Sequence, residues 1–313
     1  MVMFNALQSI LSIIILISLG YLLTRAGWFN EEISKLFSKL VTTISLPALM
    51  IVNFTTTFDK KTLIQSSSGL VIPFASIFLC FIISSIMAYY FVADGRRGTF
   101  EALFSVSNTI FIGLPVNIAL FGEQSIPYAL VYYIANTFFF WVVAVFKISR
   151  DGNIGQIPIL SKQTIKAILS PPLLGFLAGA VLVLGEIRLP AFILDTCKYL
   201  GNLTTPLSLL FIGITFYSID PKILSFNRDM FLVFLGRFFI SPAIVYLLAI
   251  FFPIPPLMLK VFIIQSAMPV MAQTAIISKT YGADHEYATI MISATTLASA
   301  FFIPVYMSIL SLF

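Results

Sequence analysis

The chain has 313 residues, 59% of them hydrophobic and 10% charged, with a mean hydropathy of +1.02. A soluble domain carries about 25% charged residues, so the composition excludes one and defines a polytopic membrane protein. The net charge of +5 does not signal nucleic acid, because the basic residues scatter through loops instead of forming a stripe. One histidine, His285, and two cysteines, Cys80 and Cys197, exclude a metal-ligand cluster or a disulfide framework, and both cysteines read as small packing residues.

A helix needs about 20 apolar residues to cross the hydrocarbon core. In chain order the sequence predicts ten spans: 6–24, 33–54, 70–93, 102–121, 126–146, 168–185, 191–217, 230–252, 257–278 and 287–312. The first apolar run lacks a basic n-region and a small-residue cleavage site, so it reads as a span and not as a signal peptide. Turn and charge clusters separate the spans, as at Asp94-Gly95-Arg96-Arg97-Gly98 and Ser218-Ile219-Asp220-Pro221-Lys222. The longest break, 149–165, divides the chain into halves 1–153 and 154–313 with five spans each.

The halves echo one another. Lys39 precedes Pro47 by eight residues and Lys198 precedes Pro206 by eight, and 206 − 47 = 159. Gly20 and Gly179 share that offset, as do Tyr128-Ala129 and Tyr287-Ala288. The central prolines Pro115 and Pro269 differ by 154, so the match there needs a gap. Five is odd, so the second copy is expected upside down relative to the first, as in many transporters. Orientation follows from Lys and Arg. Five (Lys60, Lys61, Arg188, Lys198, Lys260) fall on the side of the termini and twelve on the other, which places both termini outside and the central loop in the cytoplasm.

Two stretches stand out chemically. Residues 265–273, Gln265-Ser266-Ala267-Met268-Pro269-Val270-Met271-Ala272-Gln273, put a proline and flanking amides in the middle of the ninth span. Residues 108–117, Asn108 to Asn117 with Gly113 and Pro115 between, do the same in the fourth. A helix-interior proline costs roughly 3 kcal/mol, and polar, interrupted helix at membrane depth persists only where protein or a wet cavity solvates it. Two broken helices in matching halves point to a transporter's substrate site. Each restarted helix, near Pro115 and near Pro269, offers a positive N-terminus suited to a carboxylate. The expected binding residues are Asn108, Gly113, Pro115, Asn117, Asn136, Gln265, Pro269 and Gln273.

Other features read more plainly. Pro47 and Pro206 are packing kinks, with a cavity wall as the second reading; Arg237 snorkels to the cytoplasmic surface, with anion guiding as the second. No nucleophile–base pair, HExxH, GxSxG or phosphate loop is present, so the protein is not an enzyme and needs no cofactor. Glu101, Glu123, Asp195 and Asp284 fall near span ends, which leaves coupling open between the cargo's own gradient or the membrane potential and a cation held by neutral oxygens.

Residues 108–115, NTIFIGLP, followed by ALFG at 119–122, resemble the fourth span of the auxin efflux carrier family; QSAMP at 265–269 and TTPLSLLFIG at 204–213 resemble its ninth and seventh. That family includes plant auxin exporters and bacterial permeases linked to malate and other organic acids, and the short central loop is similar to the bacterial or archaeal branch. The resemblance implies an all-α fold of ten transmembrane helices in two inverted five-helix repeats, like that of bile acid symporters. Spans 1, 2, 6 and 7 would form a scaffold offering a homodimer surface, and spans 3–5 and 8–10 a transport unit in which broken spans 4 and 9 cross. The family's fourth-span asparagine matches Asn108, whereas Val270 stands where plant members often carry glutamine; the sodium-site residues of the bile acid relatives are not evident. The expected function is elevator-type transport of a small carboxylate across the cell membrane. Alternatives are a ligand-binding receptor that does not transport and a sodium-coupled symporter.

Overall fold

The computed structural model describes residues 2–57, 60, 68–152, 169, 171–218 and 227–310, and their regular elements are all helical. The central loop beyond residue 152 with Lys162 and Lys166, the turn holding Asp220, Pro221 and Lys222, and Lys61 lie outside the described residues. In the first half, α1 (Val2–Arg25) leads to α2 (Glu31–Leu40), which a π turn joins to α3 (Leu46–Thr57). Next come α4 (Val71–Phe91), α5 (Arg97–Ser105), α6 (Leu114–Phe121), α7 (Ile126–Phe139) and α8 (Val145–Asp151). The second half contains α9 (Pro171–Leu184), α10 (Ala191–Gly201), α11 (Thr204–Ser218), α12 (Arg228–Leu235) and α13 (Ser241–Phe251). It ends with α14 (Pro256–Ser266), α15 (Gln273–Tyr281) and α16 (His285–Leu310).

Six helical stretches among the described residues are long and apolar enough to cross a membrane: Glu31–Thr56, Val71–Phe91, Glu123–Asp151, Ala191–Ser218, Arg228–Phe251 and His285–Leu310. Each overlies one predicted span. Four shorter apolar helices, Ile14–Arg25, Thr109–Phe121, Pro171–Leu184 and Pro256–Ser266, overlie the other four. Large apolar side chains such as Ile15, Phe78, Ile250 and Phe301 point outward, exposed. Water would reject that surface; lipid accepts it.

Proline leaves a regular mark on these helices. π turns cover Val41–Ser45, Thr109–Gly113 and Gly236–Ile240, and each ends two residues before a proline: Pro47, Pro115 and Pro242. A proline ring clashes with the carbonyl four residues back and cannot donate to it. Widening the preceding turn by one residue relieves the clash without cutting the helix. A fourth π turn, Phe140–Ala144, has no proline behind it.

Helices α1 and α11 pack along their lengths, as do α9 and α3. Glycine makes both approaches possible: a Cβ on Gly20 would run into the backbone of Leu210, and one on Gly179 into Phe54. Pro47 packs directly against Gly175, which agrees with its reading as a packing kink.

Candidate functional site

The fourth and ninth spans are interrupted, and their interruptions touch. Helix α5 stops at Ser105 and α14 at Ser266. Between these ends and the restarts, Ser107 and Val270 form an antiparallel bridge, and the Asn108 N–H donates to the Pro269 carbonyl at 2.8 Å. Two strands one residue long thus cross inside a helical protein, each giving the other the backbone partner that lipid cannot supply.

The local sequence explains where each break falls. In span 9, Pro269 sits inside the break and bars Met268 from helical geometry, so α14 ends just before it. In span 4 the break lies at Val106–Asn108, upstream of the proline that the sequence reading made responsible. Ser105, Ser107 and Asn108 are residues whose side chains compete for backbone partners. Asn108 caps the restart, its Oδ1 accepting from the Phe111 N–H at 3.1 Å. Pro115 comes later, at the start of α6, where the π turn accommodates it; the Gly113 N–H reaches back five residues to the Asn108 carbonyl at 3.0 Å. Aligned on their helix ends, the breaks are 266 − 105 = 161 residues apart. The mismatch with the offset of 159 shrinks from the prolines' five residues to two.

Side chains from the fifth and tenth spans brace the joint. Asn136 is fully buried and treats Ser107 as a strand partner: its Oδ1 accepts from the Ser107 N–H at 2.9 Å and its Nδ2 donates to the Ser107 carbonyl at 2.9 Å. On the other side the Val270 N–H donates to Thr295 Oγ1 at 3.3 Å. Asn136 and Thr295 differ by 295 − 136 = 159, the offset of the repeat.

Arg237 corrects the sequence reading. It does not snorkel: it is the largest fully buried side chain among the described residues. Its Nη1 donates to Phe104 O and its Nε to Met268 O, both at 3.1 Å, and its Nη2 donates to Ser266 O. One guanidinium therefore holds the final carbonyls of both first half-helices, which would otherwise be orphaned.

A cavity of about 230 Å³ opens beside the joint. It is bordered by Asn108, Thr109 and Phe111 from the restart of span 4, and by Met271 and Gln273 from that of span 9. Thr42, Tyr133, Thr137, Trp141, Pro171 and Pro172 close it. Its described lining holds no charged side chain. The Thr137 hydroxyl is buried without a partner among the described residues. A second cavity of about 30 Å³ shares Asn108 and contains Ile292 and Thr296. These two residues lie 159 positions after Tyr133 and Thr137 of the first cavity.

The expected site residues therefore divide. Asn108 and Gln273 reach the cavity, and Pro269 supplies the joint's acceptor. Asn136 is committed to backbone. Gln265, Gly113 and Asn117 form a separate buried group: Gln265 Oε1 occupies the space where a Cβ on Gly113 would stand, and Asn117 Nδ2 donates to Gly113 O at 2.7 Å. Gln265 Oε1 and Asn117 Oδ1 have no partner among the described residues. Thr42, Tyr133, Thr137, Trp141 and the prolines of α9 were missed. Thr137 had a signal, since it neighbours Asn136 and repeats at Thr296.

Beyond the joint, polar contacts fasten the same helices at one end. Glu101 was placed near an interface but is buried, with Lys147 Nζ and Ser85 Oγ each 2.5 Å from its Oε2. Asp151 at the end of α8 caps the start of α5, accepting from the Gly98 and Thr99 N–H groups at 3.0 and 2.6 Å. Arg96 pairs with Asp284 at 2.6 Å.

Apolar helices gathered round two interrupted ones, with a cavity at the interruption that hydroxyl and amide side chains help to line, define a multi-pass membrane protein of the transporter class. The membrane transport protein family model matches residues 5–307, and the chain belongs to that family, which is that of the auxin efflux carriers. Among relatives, the chain is 27% identical over 305 residues to an uncharacterized transporter of Methanocaldococcus jannaschii, covering 93% of this chain and 94% of the other. It is 24% identical over 320 residues to an uncharacterized transporter of Methanothermobacter thermautotrophicus, covering 99% and 100%.

Proposed function

We propose that the protein is a secondary transporter that carries a small organic anion by elevator-type movement of the crossed helices against the remaining spans. One observation carries this reading: the joint at which Asn108 N–H meets Pro269 O, with the restarts of both helices on the wall of one cavity. Each restart presents a positive dipole end worth about 0.3–2 kcal/mol to an anion. With no lysine or arginine in its described lining, the cavity can hold a carboxylate and also release it. Its 230 Å³ lies below the roughly 300–1,000 Å³ usual for drug-sized ligands. That favours a compact carboxylate such as malate over an aromatic acid of auxin size.

Ten spans in two inverted repeats, 1–153 and 154–313, are part of the proposal. Its support is the recurring offset of 159, found in Gly20 and Gly179 at equivalent helix contacts and in Asn136 and Thr295 at the two arms of the joint. The lysine and arginine asymmetry supports termini outside and a cytoplasmic central loop. The division into two bodies is supported by the polar bonds of the joint, of Arg237 and of Glu101 and Asp151, all within spans 3–5 and 8–10. Spans 1, 2, 6 and 7 then form the fixed scaffold and the homodimer surface.

The decisive measurement is uptake into proteoliposomes with a panel of mono- and dicarboxylates. Saturable flux with counterflow is expected for at least one. Binding without counterflow would make the protein a receptor. The sodium-coupled variant has one observation in its favour, the two buried oxygens Gln265 Oε1 and Asn117 Oδ1, which have no partner among the described residues. Flux indifferent to a sodium gradient removes it.

A further inference from the structure

We propose that Arg237 makes the crossing selective for anions through its charge, as a positioning residue that does not contact the cargo. The inference rests on the transporter reading and concerns an electrostatic difficulty that any broken helix creates. Where a helix is cut, the negative end of the first half lies about as close to the gap as the positive end of the second. Taken alone, the two ends cancel. A cut helix is therefore not an anion site until something neutralises its first half.

Arg237 performs that neutralisation for both cuts together. Its three hydrogen bonds go to Phe104 at the end of α5, to Ser266 at the end of α14 and to Met268 inside the second break. Each helix end carries about half a negative charge, so one guanidinium balances the pair. The positive ends at Thr109–Phe111 and Gln273 then act on the cavity unopposed. No carboxylate pairs with Arg237 among the described residues. The titratable groups nearest in its surroundings are the Tyr132 phenol and the Cys80 thiol. The buried acid of span 4, Glu101, is occupied by Lys147. Arg237 is absent from the cavity lining, so its influence is through space. One charge roughly 10 Å away at an effective dielectric near 20 alters anion affinity on the order of tenfold.

A plain backbone clamp would use the same three bonds, so the test separates charge from clamp. Malate, indole-3-acetate and nitrate are titrated against full-length wild type, R237Q, R237K and C80D in lipid nanodiscs, with melting temperatures measured in parallel. C80D installs a carboxylate within electrostatic reach of Arg237 without removing any of its N–H donors or the three carbonyls that accept from them. R237Q and C80D are expected to weaken binding of the wild-type anion about tenfold, R237K by less than threefold, with C80D melting near wild type. A folded C80D with wild-type affinity overturns the charge role. If C80D does not fold, equal losses in R237Q and R237K overturn it, because the lysine keeps the charge. Wild type that binds none of the three anions overturns this inference together with the anion-transport reading. Wild type that binds, with R237Q and C80D unchanged, overturns this inference alone.

Discussion

Spans 3–5 and 8–10 are fastened differently from spans 1, 2, 6 and 7. In the first group the fixings are directional: Asn136 on the Ser107 backbone, Arg237 on three carbonyls, Asp151 on the start of α5, Lys147 on Glu101. In the second, α1 lies against α11 and α9 against α3 by close apolar contact at Gly20 and Gly179. Where the two groups meet, a cavity of about 640 Å³ is lined almost wholly by apolar side chains, among them Ile17, Leu209, Ile303 and, from the restarted fourth span, Val116. Directional bonds resist sliding, because displacement leaves a buried polar group unpaired at about 1–3 kcal/mol each. Apolar contact in lipid carries no such penalty. Under the proposed mechanism, the bonded helices would travel as one body and the apolar surface would let them slip.

The most severe way to break this comparison is to staple the two groups. Cysteines at Ile17 and Ile303, in a background without Cys80 and Cys197, joined by a short bis-maleimide, should lower flux more than tenfold while anion binding persists. Flux that survives complete cross-linking would mean the groups do not move relative to each other. Next in size are the arms of the joint. Asn136→Leu removes two bonds from the Ser107 backbone and should cost about 2–4 kcal/mol, read as a fall in melting temperature with loss of flux. Thr295→Val removes the single longer bond and should cost about 1 kcal/mol. Equal losses would show that the arms share the load.

A smaller effect is expected in the apolar group. Gly179→Leu forces α9 off Phe54 and should cost about 1–3 kcal/mol by overpacking, with flux per folded molecule retained. Smallest in stability is Thr137→Val, within about 1 kcal/mol of wild type because its hydroxyl has no partner among the described residues. The same change should raise the half-saturation concentration several-fold if the cavity holds the cargo. An unchanged value removes Thr137 from the site.

Much of this was legible in the sequence. Apolar runs fixed by the thickness of lipid located the helices, and amides beside prolines at membrane depth located both interruptions to within a few residues. The family likeness of NTIFIGLP and QSAMP was legible for the same reason, being written in those rule-breaking residues. What escaped has a common cause. The burial of Arg237, the bracing role of Asn136 and the exact place of the span-4 break all involve side chains bonded to backbone, and backbone partners leave no complementary residue to read. Proline was also ambiguous: Pro269 lies in a break, whereas Pro115 marks only a widened turn. Wherever a π turn can absorb the ring, the letter P is a weak guide to where a helix is cut.

The contact at the centre of the molecule is made from main-chain atoms, the N–H of residue 108 and the C=O of residue 269. No side chain owns it. Among the twenty standard residues only proline at position 108 would delete the donor, so ordinary mutational scanning passes over this contact almost blind. Lineages whose sequences have drifted far apart can therefore keep the same crossing point while the side chains around it are exchanged.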